Sequence, residues 1–580
     1  MFSVYDEVKN NVFNPGRHVF TRNGSYFGVI ARPQRHTLPR NIGKWGSSDL
    51  YVAMGRGNVA ALPSNLSTLL VPVHHGEMLP YAIQTTPTEM TLLTAYGNVS
   101  LCYAEPSLLL VKGENNVGLL FQTDMVLHQF LRRRKENSWE IPHSPVGSFV
   151  YTAVDGTISM DGKYDFQRLS HPIVRGEVVP NEAGEFLLAI EEFTHLGHTR
   201  QSYPGYAEGL TNAKADWDSY MSKMPAIPEY DSARYAAGYL TWSLLAKPSI
   251  LVKRPQIYRE FGQAASAWQS CQSAAAVGGN LPLALELILS QLDHQSPDGQ
   301  IPDFSDDTRI FSQSAAAPAQ GWALEYLMKK HDFAKEVPIE TTDALYAGLS
   351  KWAEWYDAFR DDDGDGIPQY EGGEECGYED CPVFEEYQTV ELPDLCAFLA
   401  LMEEKLGDLA GILGREEERT AWYDRSKARI DRMIRTFWTG KRFVGKVYGT
   451  GEILSDDSLV FYRPLILGDR LPAEIIDAMT TDLSEGKGYL TPYGLNSHKI
   501  ESVIPDSLPV GGGRVLPAEN ALIATGLLWA GKAGQAADLA DRYCRGIVDS
   551  SPFSPDRCFG DSWSATVFQI LAELACDHKE

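Results

Sequence analysis

The hydrophobic pattern of this 580-residue chain changes once, near residue 210, and that change constrains the fold more than any single motif. Up to about residue 215, short apolar runs at 28–31, 66–73 and 108–112 are separated by Asn-Gly, Gly-Asn and Asp-Gly pieces. The stretch 157–161, Thr-Ile-Ser-Met-Asp, alternates apolar and polar residues, and helical periodicity is nearly absent. Residues 1–215 are therefore expected to form an antiparallel β-sandwich rich in hairpins. Residues 211–220 read as a linking helix, and 216–228 as a linker ending in Met224-Pro-Ala-Ile-Pro228.

From residue 229 to 580 the period is helical, as in Leu283, Leu285, Leu287, Ile288 and Leu292. The spacing predicts helices at 232–246, 263–276, 281–294, 321–330, 342–359, 392–413, 416–437, 473–482, 517–530, 535–548 and 562–575. Short turns alternate with longer Gly/Pro/aromatic loops between them. Such pairs close into a toroid of six hairpins, an (α/α)6 barrel. No repeat of fixed period is present, which counts against a solenoid.

A net charge of −26 disfavours a nucleic-acid partner, because phosphate recognition needs clustered Lys and Arg. The one dense basic run, Arg132-Arg-Arg-Lys135, stands alone. No segment approaches the roughly 20 apolar residues of a membrane span, so no membrane partner is expected. The first residues lack a basic patch followed by an apolar run, and the 8 Cys are scattered. Reduced thiols and a cytoplasmic location are expected. The acidic surface and abundant aromatics suit a small neutral carbohydrate. Oligomeric state is not legible.

Chemistry concentrates in 361–384, an acidic loop between two strong helical patterns. Asp361, Asp363 and Asp365 alternate, followed by Gly366 and by Ile367, whose carbonyl is in position to help. This is the spacing of a calcium loop. The bidentate Glu of a full calcium-binding helix-loop-helix would stand at 372, where the chain has Gly372. A structural Ca2+ completed by a distant carboxylate is one reading, and a capped acidic turn without an ion is the other. Cys376 and Cys381 stand near glutamates but lack a third soft ligand or a His in the loop, which argues against zinc.

The run from Asp361 through Gly364-Asp-Gly-Ile-Pro-Gln-Tyr370, then Glu375-Cys-Gly-Tyr-Glu-Asp-Cys-Pro-Val-Phe384 and Glu391-Leu-Pro-Asp-Leu-Cys-Ala-Phe398, resembles the barrel of glycoside hydrolase family 63 and its mannosylglycerate-hydrolase-like relatives. More distantly it resembles the trehalases. Gln300-Ile-Pro302, Pro318-Ala-Gln-Gly-Trp-Ala323, Gly512 to Asn520 and Phe559-Gly-Asp-Ser-Trp-Ser-Ala565 are similar to further pieces of that pattern, in the same order. The resemblance spans roughly residues 250–575 and is specific around 361–400. It implies an (α/α)6 barrel that hydrolyses an α-glycoside with inversion, with no cofactor in the chemistry.

Inversion needs one protonated and one ionised carboxyl, roughly 6.5–9.5 Å apart. The resemblance puts Glu379 where the family has an acidic Asp; Asp380 is one place away. For the base, the family's Glu is missing from 546–555, and Asp549 is the nearest carboxylate, with Glu519 as the alternative. A longer acid and a shorter base nearly preserve the gap. Trp268, Gln269, Gln320, Trp322, Tyr378 and Glu519 are expected around the sugar. A lyase or epimerase on the same barrel, or a non-catalytic carbohydrate-binding relative, are the competing readings. The acidic loop disfavours a uronate lyase.

Overall fold

The computed structural model describes residues 12–33, 48–56, 67–124, 130–143, 147–378, 381–499, 515–550 and 560–578. The first part is two antiparallel sheets packed face to face. One orders its strands Phe27–Pro33, Ser48–Met54, Ser67–His74, Val117–Asp124, Ile173–Val179 and Thr157–Asp161, with Glu77–Met78 on Ser67–His74. The other runs Arg132–Lys135, Ser138–His143, Gly147–Asp155, Phe186–Phe193, Leu108–Gly113, Asn98–Glu105, Met90–Leu93 and Ala82–Thr85. Alternation holds where the sequence shows it: Ile158 and Met160 point inward from an edge strand whose other residues are exposed. A hydrogen bond crosses between the sheets where the Tyr151 hydroxyl donates to Thr68 Oγ1 at 2.7 Å. The basic run at 132–135 is an edge strand, with Arg132 and Arg134 both bonded to the buried Glu140. Charge on an edge strand discourages pairing with other chains.

The last strand of the sandwich ends at Phe193, and helix α1 (Tyr206–Met221) follows. It starts earlier than its sequence pattern suggested, because Tyr206 and Leu210 cover a small apolar patch of Cys102, Ala104, Leu108, Leu110 and Ala189 on the sandwich.

The helices then alternate between two rings. After α2 (Asp231–Ser243) come α3 (Ala267–Ala276), α4 (Leu281–Leu292), α5 (Gln320–Met328), a single turn α6 (Phe333–Glu336) and α7 (Ile339–Phe359). Single turns α8 (Gly373–Cys376) and α9 (Val383–Glu386) precede α10 (Pro393–Ile412) and α11 (Glu416–Phe437). A 3₁₀ stretch, Leu459–Arg470, is followed by α12 (Ala473–Asp482), α13 (Pro517–Trp529), α14 (Ala533–Ser550) and α15 (Ser562–Asp577). α3, α5, α10, the 3₁₀ stretch, α13 and α15 each pack on the next, and α15 returns to α3. α2, α4, α7, α11, α12 and α14 lie outside them. This is the (α/α)6 barrel.

The 3₁₀ stretch has no counterpart among the helices expected from sequence. Pro464 lacks the amide that would bond back along a helix, and Gly468 breaks the turn at φ 58° and ψ −130°. The segment is nonetheless buried from Leu459 to Gly468 and completes the inner ring.

Each long connection runs from an outer to an inner element, so the starts of the inner helices share one face. At the opposite end, inner elements are joined by charge. Glu325 of α5 accepts from Lys405 of α10 at 2.6 Å and from Arg470 at 3.1 Å, and Lys405 also meets Asp408 at 2.6 Å. Burial works against an ionised Glu325, yet Lys405 and Arg470 hold its carboxyl down at about 2.

The lowered folded-state value means that Glu325 stabilises the fold above the ordinary carboxylate range and loses this contribution as pH falls toward 2. Glu325→Gln should therefore lower Tm at neutral pH, breaking a buried charge cluster worth about 3–5 kcal/mol. The gap to wild type should close steadily in melts below pH 4.5. A gap that stayed constant down to the acid limit would refute the role of the charge.

Candidate active site

The face that gathers the starts of the inner helices is built around one cation. Arg463 is completely buried. Its guanidinium donates to Asp394 Oδ2 at 2.9 Å and to both oxygens of Glu519 at 3.0 and 2.6 Å. It also donates to the Cys376 carbonyl at 2.6 Å. The rings of Trp268 and Tyr378 lie 5.4 and 5.6 Å from it. Asp394 is at the start of α10 and Glu519 at the start of α13, so three inner elements meet in one ion cluster. Burial and the two carboxylates act in opposite directions on Arg463; the carboxylates prevail and keep it charged. Burial pushes the Asp394 carboxyl up, with Arg463 opposing. Its Oδ1 has no hydrogen-bond partner, while Tyr370 donates to Oδ2 at 3.3 Å.

The cluster positions the loop that enters the expected acid. Gly377 takes a left-handed φ of 67° and lies flat on Trp268, where a Cβ would meet the indole at 3.2 Å. The Tyr378 hydroxyl donates to the Ser497 carbonyl at 2.8 Å. Glu379 and Asp380 come next and lie outside the described residues. Asp549 is in the last turn of α14, an outer helix whose C-terminal end points to the same face; its side chain is not described.

The other expected residues divide. Trp268 and Tyr378 belong to the cluster, and the buried Trp268 Nε1 has no partner. Both Glu519 oxygens are committed to Arg463. Gln269 caps its own helix: its Oε1 accepts from the Ser266 amide, and Ser266 Oγ accepts from the Gln269 amide. Gln320 is buried and donates to Gln291 Oε1 at 2.8 Å. Trp322 crosses the barrel to donate to Thr525 Oγ1 of α13 at 3.0 Å, deep in the lumen. Trp322 and Gln320 thus pack the interior beneath the site, and no side-chain period in the sequence separates these positions from the rim.

The acidic loop follows α7. Carboxylate oxygens of Asp361, Asp363 and Asp365 lie within 4.8 Å of one another. Among the described residues this is the only such group of three potential metal ligands, and Cys376 and Cys381 are in none. Asp361 Oδ2 accepts from the Gly366 amide at 3.0 Å, whereas its buried Oδ1 has no partner. Gly366 has φ 82°, and a Cβ there would strike Arg432. Sequence reasoning missed Glu391, which is 5% exposed in the short strand Val390–Glu391. Burial, and then Asp365 and Asp363, push its carboxyl up to about 7. Glu391 thus feels the charge of the three aspartates without belonging to their group.

Residues 265–553 match the family model described as mannosylglycerate hydrolase MGH1-like glycoside hydrolase domain. The helical domain belongs to this family. The protein is a glycosidase. No curated protein matches the sequence. Among solved structures, a family 92 α-mannosidase from Bacteroides thetaiotaomicron in complex with mannoimidazole is 11% identical at a TM-score of 0.58, covering 98% of this chain and 84% of that one. A family 92 inverting mannosidase from Bacteroides thetaiotaomicron VPI-5482 is 9% identical at 0.56, covering 99% and 84%. A bacterial glucoamylase complexed with acarbose is 10% identical at 0.57, covering 98% and 95%. These likenesses show that the sandwich and the six-hairpin barrel form a shared glycosidase architecture. No helix among the described residues is long and apolar enough to cross a membrane.

Arg463→Met should be severe, since it strands two buried carboxylates, and a Tm loss corresponding to about 3–5 kcal/mol is expected. Adding Asp394→Asn and Glu519→Gln should recover much of that loss. A triple variant melting no higher than Arg463→Met would show that the cluster holds by shape rather than charge.

Proposed function

We propose that this glycosidase hydrolyses a small α-linked glycoside or oligosaccharide with inversion, with Glu379 as general acid and Asp549 as general base. The observation that carries the reading is the Arg463 cluster, which fastens the chain at Cys376, Gly377 and Tyr378 immediately before Glu379. Glu519 is spent on Arg463, and this favours Asp549 as the base. Glu379 gives its proton to the glycosidic oxygen as the bond from the anomeric carbon breaks. Asp549 takes a proton from the water that attacks the opposite face. Trp268 Nε1 and Asp394 Oδ1, both buried without partners, suit sugar hydroxyls. The family 92 mannosidase of strain VPI-5482, which shares the architecture, is an inverting enzyme, in agreement with this stereochemistry.

Ca2+ fits the loop at Asp361, Asp363 and Asp365, with Glu391 as the completing carboxylate. The unpartnered Asp361 Oδ1 and the buried Glu391 both call for a cation. Its part is structural: it would neutralise the loop that leads to the acid.

Glu379→Gln should cost about 10²–10⁴-fold with poor leaving groups and much less with activated aryl glycosides, whereas Asp549→Asn should harm both alike. Proton NMR of the first anomer released should show inversion. Near-normal turnover of a natural glycoside by Glu379→Gln would move the acid to Asp380. Chelation should lower Tm, and Ca2+ should restore it in wild type but not fully in Glu391→Gln. An unchanged Tm in protein shown to start with bound metal would refute the ion's structural role.

A further inference from the structure

The two sheets of the sandwich end in four edge strands, and three of these are guarded against further pairing. Phe27–Pro33 ends in a proline and is bridged through Val29 to Phe20. Ala82–Thr85 is covered at Thr85, whose carbonyl accepts from the Val12 amide at 3.4 Å and whose hydroxyl donates to the Phe13 carbonyl at 2.7 Å. Arg132–Lys135 is cationic throughout. The fourth edge, Thr157–Asp161, reads Thr-Ile-Ser-Met-Asp and has neither proline nor a basic residue. Among the described residues it pairs with Ile173–Val179 alone, and no backbone group of 157–161 bonds beyond that strand. Thr157, Ser159 and Asp161 are exposed.

Exposed apolar surface gathers at the same edge. Of the 14 large apolar side chains exposed among the described residues, five lie between 154 and 179: Val154, Phe166, Leu169, Ile173 and Val179. Single exposed residues need no explanation, whereas a group of them marks a contact surface. The loop that carries Phe166 is well fixed. Asp165 and Ser170 exchange backbone bonds at 2.9 and 3.4 Å, and Asp165 Oδ1 accepts from the Gln167 amide at 2.8 Å. The Tyr164 ring lies 5.1 Å from Phe166 and 5.3 Å from His171. Phe166 is nonetheless 83% exposed.

The two ends of the edge strand carry opposite charge. Asp155, just before it, is exposed and accepts from the Gly156 amide and from Asn181, but forms no ion pair among the described residues. Lys163, just after it, is exposed and forms none either. Antiparallel pairing of this strand with a second copy, about a two-fold axis at Ser159, sets Thr157 opposite Asp161. By the same count it lays Asp155 of each copy beside Lys163 of the other. It also brings the loop of Phe166 and Leu169 to the end marked by Val154, and to Val179, which stands opposite Thr157 in the existing ladder.

We propose that Thr157–Asp161 is the two-fold interface of a homodimer, in which two copies of this chain join their seven-stranded sheets edge to edge. A two-fold interface uses the same patch on both subunits, so the patch must complement itself. Here charge and apolar surface both do so about one axis, and this selects a second copy as the partner.

Sedimentation velocity on the full chain, over a micromolar concentration series, should show a dimer. Ser159→Lys sets two like charges face to face on the axis and should raise the dimer Kd roughly 10- to 100-fold, with Tm of the fold unchanged. Lys163→Asp should also weaken the dimer, and adding Asp155→Lys should restore it, because the pair is kept with its signs exchanged. Lys163 is in an exposed turn, so this exchange remains readable if Ser159→Lys fails to fold. A chain that stays monomeric throughout the series overturns the homodimer and leaves the edge to a different partner. A dimer whose Kd ignores both Ser159→Lys and Lys163→Asp overturns this interface. Weakening by Lys163→Asp without recovery in the double variant overturns the pairing of Asp155 with Lys163 on which the axis rests.

Discussion

A single buried guanidinium sets the geometry of the barrel mouth. Arg463 is held by two carboxylates and a carbonyl, so its charge is compensated, and each partner belongs to a different piece of chain. Taking such groups out of water costs several kcal/mol per ion before their attraction is counted. The cluster is thus weak evidence for added stability and better evidence for specification: only one arrangement of α10, α13, the 3₁₀ stretch and the loop at Cys376 satisfies all three charges. The chain from Cys376 to Tyr378, just before the candidate acid, inherits that precision.

A second charge cluster, at the other end of the same inner ring, has a different composition. Lys405 and Arg470 surround Glu325 there, with Glu404 and Asp408 at the edge. The two clusters share the 3₁₀ stretch, whose Arg463 reaches one end and Arg470 the other. An element that lacks regular helical hydrogen bonding is thereby fastened at both ends. A third node, Arg56, pairs with Glu192 of the sandwich at 2.7 Å and with Asp307 of a barrel loop at 3.3 Å, stacked over Tyr26. It ties the sandwich to the mouth, which makes the sandwich part of the site's scaffold.

Much of this was legible in the residues. The change of period near 210 separates sheet from helix, and the order of short motifs identifies the barrel. The element that carries Arg463 was not legible: Leu459-Val-Phe-Tyr-Arg-Pro-Leu-Ile-Leu-Gly468 contains the two residues that most discourage a helix. It is held in place by burial in the ring rather than by its own propensity. Gln269 and Trp322 show the converse limit. Both stand at helix starts where a sugar-binding side chain would be expected, but one bonds its own cap and the other bridges the lumen. Which way such a side chain turns depends on partners far away in sequence, Thr525 in the case of Trp322. Glu391 was invisible for the same reason: its short strand is placed by pairing with Gly445–Val447 and by a bridge from Val390 to Tyr370.

The proposed acid and base gain a physical relation from this architecture. Glu379 is the residue after a segment pinned on Arg463 and Trp268. As the proposed acid, Glu supplies one methylene more than Asp. Asp549, the proposed base, belongs to the end of a regular helix and is one methylene shorter than Glu. The water-filled gap that inversion requires depends on the lengths of both side chains. Lengthening one side chain while shortening the other keeps the gap and moves the scissile bond toward the base wall. A sugar seated that way leaves more room on the acid side, the side on which a leaving group departs.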